Sequence, residues 1–116
     1  MNIAALISDR ADTYAVGVTT QNRFPGAPIL LARRRLVDRR IRGIIVNNRI
    51  SNVAAPTGVE DAEKIASQLA GSFGLPDSEV LSVSTGVIGW SLPVEPMVEA
   101  IKTIRECETD PIAFSR

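Results

Sequence analysis

Histidine is absent from the 116-residue chain, and Cys107 is its one cysteine. The first absence removes the most usual general base at neutral pH, so no Ser-His-Asp or Cys-His arrangement can form inside this polypeptide. A single cysteine allows no internal disulfide, and without histidine no His/Cys zinc site can be assembled. Neither a metal nor a cofactor is expected. Cys107 falls in a charged helical stretch, Ile104-Arg105-Glu106-Cys107-Glu108, and reads as a small packing or surface residue. Arg105 is the one basic neighbour available to activate it.

Charge of one sign is also lacking, and aromatic residues are few. Lys plus Arg and Asp plus Glu both number 13, and aromatics make up 4% of the chain. No global field is present to recruit nucleic acid or an anionic membrane. No apolar run approaches the roughly 20 residues of a membrane span. The first ten residues have no basic head, and Asp9 interrupts their apolar stretch, so they do not read as a signal peptide. A cytoplasmic protein without nucleic-acid or membrane partners is expected. At 45% apolar and 22% charged, the composition is that of an ordinary globular chain, and the length is that of one small domain or a piece of a larger one.

Periodicity predicts the order of elements. Residues 1–8 form a short apolar run that predicts a strand, ended by Ser8-Asp9-Arg10. Residues 13–20, with Tyr14, Val16 and Val18, predict a second strand. Pro25, Gly26 and Pro28 mark a loop over residues 21–28. Residues 29–31 read as extended, with a short helix over residues 32–40. Ile44-Ile45-Val46 within residues 43–47 predicts a buried strand. After a polar loop, Ala62, Ile65, Ala66, Leu69, Ala70 and Phe73 recur at steps of three and four, which predicts an amphipathic helix. Glu60, Asp61 and Glu63 suit the positive end of its dipole, Gly74 is placed to cap its far end, and Pro76 forbids continuation. Residues 80–83 predict another strand, and Pro96 opens a last helix with Met97, Ile101 and Ile104 on one face. The alternation of strands and helices in the second half argues for an α/β fold in one domain, 1–116, incomplete at that.

Three signals bear on chemistry. Arg33, Arg34, Arg35, Arg39, Arg40 and Arg42 form a basic cluster. It could contact phosphates, but no aromatic interleaves it to stack bases, and Asp38 lies within it, so the solvated face of a helix is the favoured account. The loop Asn47-Asn48-Arg49-Ile50-Ser51-Asn52 follows a buried strand, where α/β sheets commonly bind ligands. Its asparagines offer donors and acceptors to a polar substrate, and equally they are good turn formers. Ser84-Thr85-Gly86-Val87-Ile88-Gly89 leaves a strand with two glycines three apart. A glycine can aim its N–H at developing negative charge, and an adjacent hydroxyl adds a second donor. The dinucleotide pattern and the Lys of a nucleotide triphosphate loop are both missing. An oxyanion site and a plain turn remain the alternatives for this motif.

Taken in order, these segments resemble the ornithine acetyltransferase (glutamate N-acetyltransferase, ArgJ-type) family. The resemblance rests on Gly17-Val18-Thr19-Thr20-Gln21-Asn22-Arg23-Phe24 with Ala27-Pro28-Ile29, and on Arg42-Gly43-Ile44-Ile45-Val46-Asn47. Thr57-Gly58, the Glu60-Asp61-Ala62 helix and Leu75-Pro76 follow. The most specific stretch is Val83-Ser84-Thr85-Gly86-Val87-Ile88-Gly89 with Leu92-Pro93. Departures exist too: Arg49 stands at a usual glycine, and Ala54-Ala55-Pro56 adds residues.

The resemblance implies a mixed sheet with flanking helices, part of the Ntn-hydrolase-like fold of that family. It implies the amino-terminal part of an alpha subunit, from a precursor that cleaves itself autocatalytically into a hetero-oligomer, a heterotetramer. The activity implied is transfer of an acetyl group from N-acetylornithine to glutamate in arginine biosynthesis. The nucleophile implied is a Thr that begins the second, beta, subunit, with its own amino group as base. Thr85 and Gly86 are implied to form the oxyanion hole. The segment carrying the nucleophile is not among these 116 residues, so the chain alone is expected to be inactive. A non-catalytic binding or assembly protein on the same scaffold is the alternative.

Overall fold

A computed structural model describes residues 1–104 of the chain. Cys107 and its charged helical stretch lie outside the described residues, with the expectation attached to them.

The elements in chain order are β1 (Ile3–Ile7), α1 (Ala27–Arg35), β2 (Gly43–Asn47), α2 (Gly58–Phe73), β3 (Val80–Ser84) and α3 (Val94–Lys102). β1 pairs antiparallel with β2, and β2 pairs parallel with β3, giving a mixed sheet of order β1-β2-β3. Because β2 and β3 are parallel, the chain must cross over between them, and α2 is that crossover. The register sets Asn47, the last residue of β2, beside Ser84, the last residue of β3.

The strand period decides what each face meets. Ile3, Ala5 and Ile7 share a face with Ile45 and Val80, and this face carries the helices. Leu31 of α1, Ile65 and Leu69 of α2, and Met97 and Ile101 of α3 close over it, each almost fully buried. On the opposite face lie Leu6, Ile44 and Leu81 in one row and Ala4, Val46 and Val83 in the next. No described helix covers that face, and Leu6 and Val83 are exposed.

α2 forms as its pattern dictates. Its apolar stripe is buried, Glu60 and Asp61 occupy the first turn, and Gly74 ends it at φ 64 while donating its N–H to the Ala70 carbonyl. α3 begins at Val94, two residues before Pro96, so that Pro96 sits in the first turn where it forfeits no hydrogen bond.

Two expectations are corrected. Residues 29–31 are helical, not extended, and the helix runs over Ala27–Arg35 instead of residues 32–40. Pro28 falls in the first turn, where its missing N–H costs nothing, and turning the chain here buries Leu31 on the core. A 3-10 turn, Leu36–Asp38, follows, and Arg39 at φ 56 stops the helix. Residues 13–20 are not a strand. They form no ladder with the sheet, and Val16 and Val18 stand out in solvent at 86% and 102% exposure. A β-rich sequence becomes a strand only where a ladder partner exists, and here the backbone is pinned instead by the Ala15 N–H to the Arg39 carbonyl at 2.8 Å.

Among the described residues, no helix is long and apolar enough to cross a membrane. No group of three potential metal ligands is found among them either.

Candidate functional site

Parallel strands deliver their C-terminal loops to one side of a sheet, and in this chain the two loops that leave β2 and β3 run alongside each other. The ladder continues past the strands. Thr85 donates its N–H to the Asn47 carbonyl at 3.1 Å, and Val87 donates to the Arg49 carbonyl at 2.8 Å. Ser51 donates back to the Val87 carbonyl at 2.9 Å, and Gly89 donates to the Val53 carbonyl at 2.8 Å. The Asn-rich loop and the Ser-Thr-Gly loop, read as separate signals in the sequence, are thus zipped into one structure.

Asn47 is buried at the start of this zipper, 3% exposed. Its Oδ1 accepts the Ser84 hydroxyl at 2.6 Å, and its Nδ2 donates to the Ile50 carbonyl at 2.9 Å. One amide therefore ties together both loops and the end of β3. Gly86 adopts φ 136, a conformation side chains rarely take, and its backbone lies against the Arg49–Ile50 peptide. A Cβ there would sit 2.1 Å from the Arg49 carbonyl carbon, inside any contact distance. This is the close backbone approach that only glycine permits.

What the zipper leaves free is chemically specific. The Thr85 N–H is consumed by Asn47, but its hydroxyl has no hydrogen-bond partner among the described residues. The Gly86 N–H has none among them either. Both residues are exposed. Two donors on consecutive residues are thus left without an acceptor among the described residues, on a loop held by the ladder. Val87, Ile88 and Trp90 form an exposed apolar rim beside them.

The asparagines of the first loop are spent on the fold. Asn52, fully buried, donates its Nδ2 to the Gly58 carbonyl at 2.7 Å, and its own carbonyl accepts the Ala27 N–H at 3.1 Å. It thereby joins the starts of α1 and α2. Asn48 accepts the Asn2 N–H on its Oδ1 at 2.8 Å. Of the two roles open to these residues, turn and loop closure is the one adopted. Arg49, Asn52 and Ala54 all take positive φ, at 75°, 53° and 58°. The backbone at Arg49 is thus one that a glycine would adopt without strain.

The arginine cluster is largely occupied by the chain itself. Arg33 donates to the Thr19 hydroxyl and the Thr20 carbonyl, Arg34 pairs with Glu63, and Arg40 pairs with Glu79. Arg35 donates to the Val80 carbonyl, and its partial burial draws the guanidinium below the ordinary arginine range. Arg40 and Arg42 also hold the carbonyls of Ala11 and Ser8. These side chains fasten residues 8–20 and β3 to the body of the protein, more than the bare solvated face expected of them.

Sequence reasoning singled out Thr85 and Gly86, which the structure places, exposed, just past the end of β3. It missed the Asn47–Ser84 bond and the role of Arg49 as the floor beneath Gly86. The available signal was positional: Asn47 and Ser84 each end a buried strand.

The mixed sheet with helices on one face is the Ntn-type architecture of the ornithine acetyltransferases, as two solved structures show. The structure of arginine biosynthesis bifunctional protein ArgJ from Bacillus halodurans matches with a TM-score of 0.80 and 27% identity, over 87% of this chain and 53% of that one. The ornithine acetyltransferase of Mycobacterium tuberculosis, solved with ornithine, matches with a TM-score of 0.82 and 28% identity, over 86% and 55%. The chain belongs to the ArgJ family, whose model matches residues 1–114. Among its relatives, the glutamate N-acetyltransferase Oat2 of Streptomyces clavuligerus is 36% identical over 100 residues, 85% of this chain and 25% of that protein. The glutamate N-acetyltransferase of Methanococcus maripaludis is 39% identical over 93 residues, 79% and 23% respectively. The chain spans about a quarter of the length of the curated relatives it matches.

Proposed function

We propose that this chain is the amino-terminal part of the alpha subunit of an acetyltransferase that moves an acetyl group from N-acetylornithine to glutamate. In this reading Thr85 and Gly86 supply the oxyanion hole, and the nucleophilic Thr heads a beta subunit released by autocatalytic cleavage. The observation that carries the reading is the unspent pair of donors, the Thr85 hydroxyl and the Gly86 N–H, exposed side by side on a clamped loop. Membership of the ArgJ family and the names of its relatives supply the reaction.

The chemistry follows from what acyl transfer needs. A Thr hydroxyl is a weak nucleophile until a base takes its proton, and an N-terminal amine is such a base. Attack on the acetyl carbon turns the carbonyl oxygen into an oxyanion. Thr85 and Gly86 donate to that oxygen, and their placement before the reaction spares the cost of orienting donors as charge appears. Collapse of the intermediate expels the ornithine amine, which takes up the proton, and leaves the acetyl group on the Thr. The amino group of glutamate then repeats the sequence in reverse. Nothing in this scheme asks the chain for a histidine, a metal or a cofactor.

The uncovered sheet face supports the subunit assignment. Leu6, Ile44, Val46, Leu81 and Val83 present an apolar surface that a stable monomer would not leave in water. The rest of an assembled cytoplasmic heterotetramer is the cover we propose for it.

The test is reconstitution. The purified chain, mixed with N-acetylornithine and glutamate, forms no N-acetylglutamate above background. Supplying the remainder of a family-length protein, with its free N-terminal Thr, restores turnover. Turnover by the chain alone would overturn the subunit reading. An assembled, processed complex without turnover would favour a binding protein on the same scaffold.

A further inference from the structure

We infer that Asn47 and Ser84 are positioning residues for acetyl transfer, a buried side-chain bond that fixes the oxyanion loop at its root; this rests on the role proposed above for Thr85 and Gly86.

The bond spans 37 residues of sequence and joins the last positions of two parallel strands. Its geometry is that of a latch. Asn47 Oδ1 accepts from Ser84, the residue immediately before Thr85, at 2.6 Å. The Asn47 carbonyl accepts the Thr85 N–H at 3.1 Å, which orients the peptide on which the free hydroxyl stands. Its Nδ2 holds the Ile50 carbonyl at 2.9 Å, and Ile50 belongs to the peptide on which Gly86 rests. Ser84 adjoins Thr85 in the chain, the Asn47 carbonyl binds the Thr85 N–H, and Ile50 follows directly on the Arg49 carbonyl against which Gly86 lies.

Burial gives the latch its stiffness. Asn47 is 3% exposed, so water competes little for its amide, and leaving either end unmade would strand a polar group in the interior. A plain turn needs none of this, because the backbone ladder from Val87 to Arg49 and from Gly89 to Val53 already closes the loop. The added side-chain bond acts at the end of the loop nearest the free donors. A donor pair must meet an oxygen that has moved as the carbonyl carbon becomes tetrahedral, and small errors of placement are costly. Neither Asn47 nor Ser84 needs to touch substrate to matter.

The experiment is a double-mutant cycle in the complete, processed enzyme, with kcat and KM measured for acetyl transfer from N-acetylornithine to glutamate. Ser84→Ala removes one hydroxyl at a half-buried site and is the gentle variant; Asn47→Ala is the severe one, and thermal unfolding accompanies both. Ser84→Ala lowers kcat by about tenfold or more with KM nearly unchanged, and Ser84→Thr, which keeps a hydroxyl, restores most of it. In a Thr85→Val background the Ser84→Ala loss shrinks to a small factor, because the donor it positions is gone. If Thr85→Val lowers kcat while Ser84→Ala changes only thermal stability, the latch is structural and this inference falls alone. If the two changes multiply independently, it falls as well. If Thr85→Val leaves kcat unchanged, the oxyanion reading fails and takes the inference with it.

Discussion

The α-carbon of Gly86 lies so close to the Arg49 peptide that a methyl group added to it would come within 2.3 Å of the Arg49 oxygen. This contact couples the two loops of the site, since neither can shift without the other. Gly86→Ala is expected to lower the stability of the assembled protein by about 3 kcal/mol, from backbone strain and the forced displacement of the opposing peptide. Chemical denaturation measures it. A loss under about 0.5 kcal/mol, the range of an ordinary surface change, would mean that the loops are not held against each other.

Arg49 occupies the other side of that contact in a left-handed conformation, φ 75, with its side chain in solvent. A glycine takes this conformation freely. Arg49→Gly is therefore expected to raise stability by about 0.5–1 kcal/mol, relief of strain outweighing the extra freedom of the unfolded chain. Thermal unfolding decides it. A lower melting point would show that the arginine side chain makes a compensating contact in the assembled protein.

The face of the sheet away from the helices leads to a third expectation. With Leu6 at 58% and Val83 at 42% exposure on that face, and Val16, Val18 and Phe24 exposed elsewhere, the isolated chain should self-associate. Light scattering over a wide concentration range reads this directly. Leu6→Glu combined with Val83→Glu should abolish self-association and, in the proposed assembly, block pairing with the second subunit. A dispersed monomer without these changes would argue that the chain is complete in itself.

Much of the fold could be read from the sequence where one signal dominated. α2 combined a repeated apolar stripe, an acidic first turn and the Gly74 cap, and β2 and β3 were compact apolar runs with clear ends. The failures came where local preference was overruled. Residues 13–20 carry β-branched side chains but find no strand to pair with, and the Ile29-Leu30-Leu31 run turns helical because that buries Leu31 at 2% exposure. At the site, residue types left Thr85 and Gly86 open between an oxyanion site and a plain turn, the resemblance alone implied the former, and the side-chain bonds beneath them could not be read. The Asn47–Ser84 bond depends on the parallel register of β2 and β3, which no spacing in the sequence encodes. Of the two roles open to Asn52, substrate contact and turn former, it takes the local one, sealed inside and bonded to Gly58.

Among the described residues nothing accepts from the Thr85 hydroxyl or the Gly86 N–H, and in the proposed oxyanion role these donors meet a charge that appears on the acyl oxygen only as the reaction proceeds. Their effect should therefore fall on the chemical step and not on substrate binding. The most direct measurement is kcat and KM for acetyl transfer by the complete, self-processed enzyme carrying Thr85→Val, a change that removes the hydroxyl and keeps the branched shape. The account predicts a kcat lower by roughly a hundredfold to a thousandfold, with KM within a small factor of the parent value. A correctly folded and fully processed Thr85→Val enzyme with unchanged kcat would contradict it.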